Sequence, residues 1–370
     1  MHLLFDALSV NNLSGRHVLL GHANEIVAGL PDWRFSLLMH RYNSGIASAM
    51  PAGVETIVAP TGGRWTERGW WLHRNGRRLC EERGIDMVFS PSGMLSAGSP
   101  RPQVVLAQNP WPLLPGMARG REAAKAWLQR RAYAKAQRDA ALMVFNSTYM
   151  QSLYQERFGA RRGPSVVAYQ GIDEAMFAAG YVRRSVSARR PMVLCVSVMA
   201  RHKAVDCLVR AFAILAARDR AVELVLAGPW PDAAYQTEVE ALVEQSGLRE
   251  RVLLTGHVGQ SELERLYGEA RVFCLLSRCE SFGIPAIEAQ AFGTPTVVAA
   301  DTAAGEVTGG IVVPQDDAEA TARELGRLLG DDQSWTEASA RALANVARFH
   351  WPQCSAPLVA ALRGLQGRSL

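Results

Sequence analysis

The chain has 370 residues, of which 48% are hydrophobic and 20% charged, and its formal net charge at pH 7 is +5. This length exceeds one ordinary hydrophobic core and predicts two domains, while the composition excludes disordered and fibrous classes. The six cysteines are scattered without a CxxC pair, which predicts buried, reduced thiols rather than a disulfide or zinc framework. No signal peptide or membrane-spanning apolar run is visible, which predicts a cytoplasmic protein.

The charge is unevenly distributed along the chain. Residues 1–170 contain 20 Lys+Arg and 11 Asp+Glu, net +9, which leaves 20 and 24, net −4, for the remainder. Much of the excess lies in a helical stretch, 119–138. Such a stretch is either a solvated helix face or a surface that attracts an anionic membrane or a lipid-diphosphate acceptor. Nucleic acid is not expected as a partner, because no basic-aromatic recognition motif accompanies these charges.

The first half alternates short apolar runs with helical patterns, which predicts a parallel sheet covered by helices. The predicted strands are 2–8, 35–39, 55–59, 87–90, 104–107 and 141–146. A polar loop, 9–15, follows the first strand. A polar, basic and aperiodic segment, 180–190, then predicts a linker. The second half continues with predicted strands 192–197, 222–227, 252–255, 272–276, 296–300 and 309–314.

Two stretches of the second half carry the candidate chemistry. Arg201 and Lys203 follow its first strand, where cations can clamp a diphosphate. The stretch 271–300 reads as strand, loop, helix and strand, with Pro285 predicted at the first helical position. A helix N-terminus attracts phosphate, whereas the carboxylates of Glu280 and Glu288, with seven residues between them, suit the hydroxyls of a sugar and a ribose.

The letters CESFGIPAIEAQAFGTPTVV, residues 279–298, resemble the Glu-x7-Glu element of the retaining nucleotide-sugar glycosyltransferases of family 4. That family has the GT-B fold, an α/β architecture of two Rossmann-like doubly wound domains facing a central cleft. The resemblance covers nearly all of the second half and the first half only in outline. It implies an acceptor-side domain 1–175, a linker 176–190, a nucleotide-sugar domain 191–349 and a helix 350–370 that crosses back to the first domain.

The resemblance also implies roles for individual residues. Glu280 addresses the transferred sugar, Glu288 the ribose, and Lys203 the diphosphate. Arg201 is a candidate for a second diphosphate contact, from a position shifted relative to the family's arginine. The other candidates contact the donor: at the helix N-terminus Ser281, Phe282, Gly283 and Ile284, in the base pocket Gly256 and His257, and in the first loop Gly15. For His257, a buried structural histidine is an equal alternative. The family's histidine near Gln108 is missing, so no histidine base can be carried over, and loop 301–307 is shorter than in relatives.

Competing chemistries lack their motifs. There is no GxGxxG, no Gly-Lys pair and no Asp-x-Asp, so dinucleotide, P-loop and metal-chelating transferase sites are not expected. We therefore expect no metal and no cofactor. The sequence predicts transfer of a sugar from a UDP- or GDP-linked donor to a glycan or lipid-linked acceptor in polysaccharide or glycolipid biosynthesis, with a peripheral contact at the inner face of the membrane. The alternatives are a GT-B sugar-nucleotide epimerase or hydrolase, and a non-catalytic sugar-nucleotide-binding subunit.

Overall fold

The computed structural model describes residues 1–117, 120–180 and 184–366, and the chain divides into two compact units. The first unit comprises Met1–Gly171 and Trp351–Leu370, and the second comprises Ile172–His350. Residues 172–175, which the sequence assigned to the first domain, therefore belong to the second unit. Arg119 of the basic stretch, residues 181–183 of the expected linker and residues 367–370 of the expected final helix lie outside the described residues.

The first unit contains a sheet of seven parallel strands in the order β3-β2-β1-β4-β5-β6-β7. These strands are β1 His2–Asp6, β2 Arg34–His40, β3 Glu55–Ala59, β4 Met87–Ser90, β5 Gln103–Ala107, β6 Leu142–Phe145 and β7 Ser165–Val167. The central strands are buried along their whole length, as near-continuous apolar runs require. The helices are α1 Leu13–Gly29, α2 Trp65–Glu82, α3 Arg121–Asp139, α4 Thr148–Phe158 and α13 Trp351–Gln366.

The second unit contains a sheet of six parallel strands in the order β10-β9-β8-β11-β12-β13. These strands are β8 Arg190–Val196, β9 Glu223–Ala227, β10 Val252–Gly256, β11 Ala270–Leu275, β12 Thr296–Ala299 and β13 Ile311–Val313. The helices are α5 Glu174–Gly180, α6 Val205–Ala216, α7 Ala233–Gln245, α8 Gln260–Glu269, α9 Ile284–Ala291, α10 Ala303–Thr308, α11 Ala318–Gly330 and α12 Asp332–Val346. Both sheets have the doubly wound, Rossmann-like strand order that the sequence predicted.

Four local features differ from the predictions. The loop 9–15 ends early, because Asn12 caps α1 and the helix begins at Leu13. The expected linker contains the end of α5 and a 3-10 turn, Val186–Ala188. Residues 303–308 form the short helix α10 instead of a loop. Pro285 is the second residue of α9, since the helix begins at Ile284.

The six cysteines are all buried, as the sequence predicted, and none of them forms a disulfide. Across the part of the chain that the structure describes, no helix combines the length and apolar character needed to cross a membrane.

Candidate functional site

The candidate residues of the second unit gather where its central strands end. A 3-10 turn, Arg201–Lys203, follows β8, and the loop 276–283 connects β11 to α9. Because β8 and β11 are parallel neighbours, both segments leave the same edge of the sheet. Ligands of doubly wound sheets bind outside this carboxyl edge.

Lys203 and Glu280 form an ion pair at this edge. Lys203 Nζ donates to Glu280 Oε2 at 2.7 Å, and the two side chains are only 16% and 15% exposed. Burial disfavours the charged form of Lys203, but the Glu280 carboxylate outweighs this and raises the pKa of Lys203 above its usual value. The ammonium therefore stays charged at neutral pH, as a group that neutralises phosphate must.

Arg278 ties the two segments together. Its backbone N–H donates to the carbonyl oxygen of His202 at 2.7 Å, and its Nη1 donates to that of Arg201 at 2.8 Å. Its guanidinium is paired with Asp316. The 3-10 turn and the loop before α9 are thus held in register, which fixes the backbone on either side of the ion pair.

Arg201 is oriented differently from Lys203. Its guanidinium makes two hydrogen bonds of 2.7 Å to Glu238 and one of 3.1 Å to Asp232, both near or on α7. These carboxylates raise the pKa of Arg201 further, and the largest cause is the hydrogen bonding of its guanidinium to Glu238. The structure therefore does not bring the Arg201 guanidinium to the Lys203–Glu280 pair, and its role as a second diphosphate clamp stays a prediction.

The N-terminus of α9 is shaped by Gly283, whose φ of 99° favours glycine, followed by Ile284 and Pro285. Phe282 is 2% exposed and packs edge-on against Phe349, so only its backbone can face a ligand. Ser281 and Ile284 are partly exposed at the same turn. This geometry suits the predicted phosphate contact through backbone N–H groups.

Glu288 lies one turn into α9 and is partly exposed. Its Oε2 accepts a hydrogen bond of 2.8 Å from the hydroxyl of Tyr267, a fully buried residue of α8. Tyr267 was not among the residues predicted from the sequence. Its position on the apolar face of α8 marks it as a core residue, and only the fold reveals where its hydroxyl points.

Gly256 and Gly15, two other candidates, have different outcomes. Gly256, at the end of β10, has a φ of 66° and open space where a Cβ would lie, and the neighbouring His257 is exposed rather than a buried structural histidine. Gly15 lies in the first turn of α1, and its N–H donates to Asn12 Oδ1 at 2.7 Å. It is therefore part of a helix and not of a glycine-rich loop.

The first unit has its own polar cluster at the carboxyl edge of its sheet. Asp6 and His40 end β1 and β2, and both are buried, as is Arg68 of α2. Burial raises the pKa of Asp6 and lowers that of His40. Among the residues described, no group of three His, Cys, Asp or Glu side chains is arranged to hold a metal ion.

Comparisons with known proteins show which family model and which fold the chain resembles. Residues 183–347 match the family model "Glycosyl transferases group 1". D-inositol 3-phosphate glycosyltransferase of Xylanimonas cellulosilytica is 37% identical over 173 residues, which cover 46% of this chain and 41% of that protein. The O-antigen chain mannosyltransferase B of Escherichia coli is 32% identical, covering 46% of this chain and 45% of that protein. The chain spans about half the length of the curated relatives it matches.

A crystal structure of Anabaena HepE in complex with UDP and glucose has a TM-score of 0.75 and 18% identity, covering 98% of this chain and 100% of that one. The fold is GT-B. The prediction of two Rossmann-like α/β domains of this class is thereby confirmed. At such low sequence identity, the structural match shows the fold alone. The family match rests on sequence, and the matched residues include Lys203, Glu280 and Glu288.

Proposed function

We propose that this protein is a glycosyltransferase of family 4 that moves a sugar from a nucleotide diphosphate sugar to an acceptor, with retention of anomeric configuration. The observation that carries the proposal is the partly buried Lys203–Glu280 ion pair beside the N-terminus of α9. It lies within the residues matched by the model of glycosyl transferases group 1. The group 1 relatives, one of them named a mannosyltransferase, support glycosyl transfer.

The donor is held by the second unit. Lys203 and the backbone at the start of α9 neutralise the diphosphate, which stabilises the negative charge that develops as the glycosidic bond breaks. Glu280 accepts hydrogen bonds from hydroxyls of the transferred sugar, and Glu288 accepts them from the ribose. The backbone around Gly256 and His257 borders the base. No metal is needed in this scheme, because Lys203 and the N-terminus of α9 supply the positive charge.

The acceptor is a glycan or a lipid-linked saccharide handled by the first unit. Support comes from the net charge of +9 over residues 1–170, which favours an anionic acceptor or membrane surface. Trp127 and Leu128 of α3 are each 50% exposed and stand among basic residues, a combination typical of helices that lie at a membrane interface.

Nucleotide binding is the first test of this proposal. UDP is the first ligand to try, because the Anabaena structures contain UDP and UDP-glucose. In a thermal-shift panel of UDP, GDP and their sugars, one nucleotide should raise the melting temperature. A ligand at 100 times its Kd adds about 2.7 kcal/mol to the free energy of unfolding. CDP and the free sugars are controls. A melting temperature that no nucleotide changes would contradict the donor site.

The reaction class is tested by product analysis. Incubation with the selected sugar nucleotide and a lipid-linked acceptor should release nucleoside diphosphate only when the acceptor is present, and NMR of the product should show the donor's anomeric configuration. Release of equal amounts of free sugar without acceptor would indicate a hydrolase. Binding without any release would indicate a non-catalytic subunit.

A further inference from the structure

Tyr267 contacts the carboxylate that we assign to the ribose. It is 0% exposed, and its hydroxyl donates to Glu288 Oε2 at 2.8 Å. Burial, and then the neighbouring carboxylate, raises the pKa of Tyr267 well above its usual value, so the phenol keeps its proton. A protonated phenol in a fixed position offers Glu288 a permanent donor from inside the protein.

The backbone of Tyr267 is also held in place by hydrogen bonds. Its carbonyl oxygen accepts a hydrogen bond of 2.7 Å from Thr294 Oγ1, which in turn accepts one of 2.7 Å from Arg189 Nη1. Arg189 is 6% exposed and also donates to the carbonyl oxygens of Ala270, after α8, and Phe292, after α9. Burial lowers the pKa of Arg189 to about 10, which still leaves it charged at neutral pH.

The buried guanidinium therefore joins the C-terminal ends of the two helices that carry the hydrogen-bonded pair. α8 carries Tyr267 and α9 carries Glu288, so the arginine fixes the distance between donor and acceptor at the level of the backbone. A glutamate has three rotatable side-chain bonds, and a carboxylate free to rotate would pay entropy on binding a ligand.

We propose that Tyr267 is a positioning residue, which fixes the Glu288 carboxylate in the orientation that accepts hydrogen bonds from the ribose hydroxyls of the donor. The inference rests on the proposed function. It predicts that Tyr267 contributes to affinity only for ligands that have ribose hydroxyls. A residue that merely supports the fold would contribute equally to ligands with and without them.

The test compares two ligands on purified, full-length variants. The ligands are the nucleoside diphosphate selected by the melting panel, UDP or GDP, and its 2′,3′-dideoxy form, with Kd measured by calorimetry. The wild type should prefer the ribonucleotide by about ten- to a hundredfold, the range expected for a charge-assisted hydrogen bond. Tyr267→Phe should reduce this preference about three- to tenfold and leave the Kd of the dideoxy ligand unchanged.

Three variants make the result specific. Glu288→Gln should abolish most of the ribose preference. Tyr235→Phe is the matched control, because Tyr235 is 3% exposed and its hydroxyl donates to Asp206 Oδ1 at 2.8 Å in the same unit. It should keep the wild-type preference. Thr294→Val removes the shorter hydrogen bond to the Tyr267 carbonyl, which still accepts one of 3.4 Å from Arg189 Nη1, and it retains the phenol. It should lower the preference in the same direction, and it provides the test if Tyr267→Phe fails to fold.

The outcomes separate this inference from the proposed function. If the wild type does not discriminate between the two ligands, Glu288 does not bind ribose and both proposals fail. If Glu288→Gln abolishes the preference but Tyr267→Phe retains it, the inference alone is overturned. An equal loss of affinity for both ligands in Tyr267→Phe also overturns it, since that is the result of a purely structural role.

Discussion

Lys203 and Glu280 pair across 77 positions of sequence, and neither is free to adjust without the other. The pair places one positive and one negative charge at the same point, which suits a ligand that presents a diphosphate and sugar hydroxyls together. Breaking such a partly buried pair leaves an uncompensated charge, so substitutions at either residue must be read against measured stability.

The two glutamates should have separable effects on kinetics. Glu288→Gln should raise the Kd of the donor about ten- to a hundredfold with little change in kcat, because the ribose is unchanged during reaction. Glu280→Gln should mainly lower kcat at saturating donor, because charge develops on the sugar. Calorimetry and initial rates on folded variants check this. Wild-type turnover in Glu280→Gln would show that Glu280 does not take part in the reaction.

The two cations of the 3-10 turn should differ. Lys203→Gln should lower kcat at least about a hundredfold, since the charge on the leaving diphosphate loses its protein counterion. Arg201→Gln should cost far less, because its guanidinium is engaged by Glu238 and Asp232. Steady-state rates at saturating donor measure both. A larger loss in Arg201→Gln would mean that this side chain turns toward the diphosphate when donor binds.

At the level of elements, the 3-10 turn Arg201–Lys203 contains a pH-sensitive residue. Burial, and then the nearby Lys203 charge, lowers the pKa of His202 to about 4. An unfolded histidine has a pKa near 6.5, so as pH falls through that value the unfolded chain takes up a proton that the folded turn resists. Stability is therefore lost progressively from about pH 6.5 down to about pH 4.

His202→Gln should remove this contribution. Between pH 7 and pH 4, the free energy of unfolding should fall by up to about 3 kcal/mol less in the variant than in the wild type. This value follows from the difference of about 2.5 between the pKa of His202 in the unfolded and folded states. Urea unfolding at several pH values gives the comparison. His257→Gln is the control, because His257 is exposed. Parallel pH profiles for wild type and His202→Gln would refute the assignment.

The elements differ in how far the sequence could predict them. β4 has the predicted bounds, because a strand buried along its whole length is an unbroken apolar run. β3 also has the predicted bounds, although most of its residues are exposed or partly exposed at the edge of the sheet. α5 and α10 have seven and six residues, too few turns for a helical period to appear, and they were missed. Arg189 was predicted to lie in a linker. Its structural role could not be predicted, because the oxygen atoms that accept its hydrogen bonds are about 80 to 105 positions away in the sequence.

The candidate site shows the same limit. The edge of the sheet and the helix N-terminus that hold Lys203 and Glu280 followed from strand and cap patterns. The sequence could not predict which side chains pair at this edge, because pairing depends on rotamers and on neighbours that are distant in the sequence. Arg201 illustrates this, because its partners, Asp232 just before α7 and Glu238 on it, carry no local signal around residue 201.

At the level of the whole molecule, the uneven charge leads to a prediction about membranes. α3 exposes Trp127, with Arg131 stacked over its ring at 4.9 Å, and Leu128 beside it. We expect the protein to bind vesicles that contain anionic lipid and to be released as salt rises, because surface charges are screened beyond roughly 10 Å at 0.1 M. Equal binding to neutral vesicles would refute the electrostatic contribution.

Charge reversal locates the membrane contact. Lys125→Glu with Lys135→Glu, both exposed on α3, should weaken vesicle binding by at least about tenfold, since each basic residue near the surface contributes about 1 kcal/mol. Arg218→Glu with Arg220→Glu changes the net charge equally at exposed positions of the second unit and should have a smaller effect. Sedimentation with vesicles measures both, and equal losses would indicate a non-specific effect of net charge.

The route of the chain through the first unit has a consequence for synthesis. α13 supplies Leu358, Leu362 and Leu365 to the core formed by α1 and the central strands, and the ring of Trp351 lies so close to Gly21 that a Cβ there would be 2.1 Å from it. On the ribosome, residues 172–350 emerge before this helix does, so the second unit can finish folding while the first still lacks part of its core. Released chains truncated after residue 350 should yield a protease-resistant fragment from the second unit only.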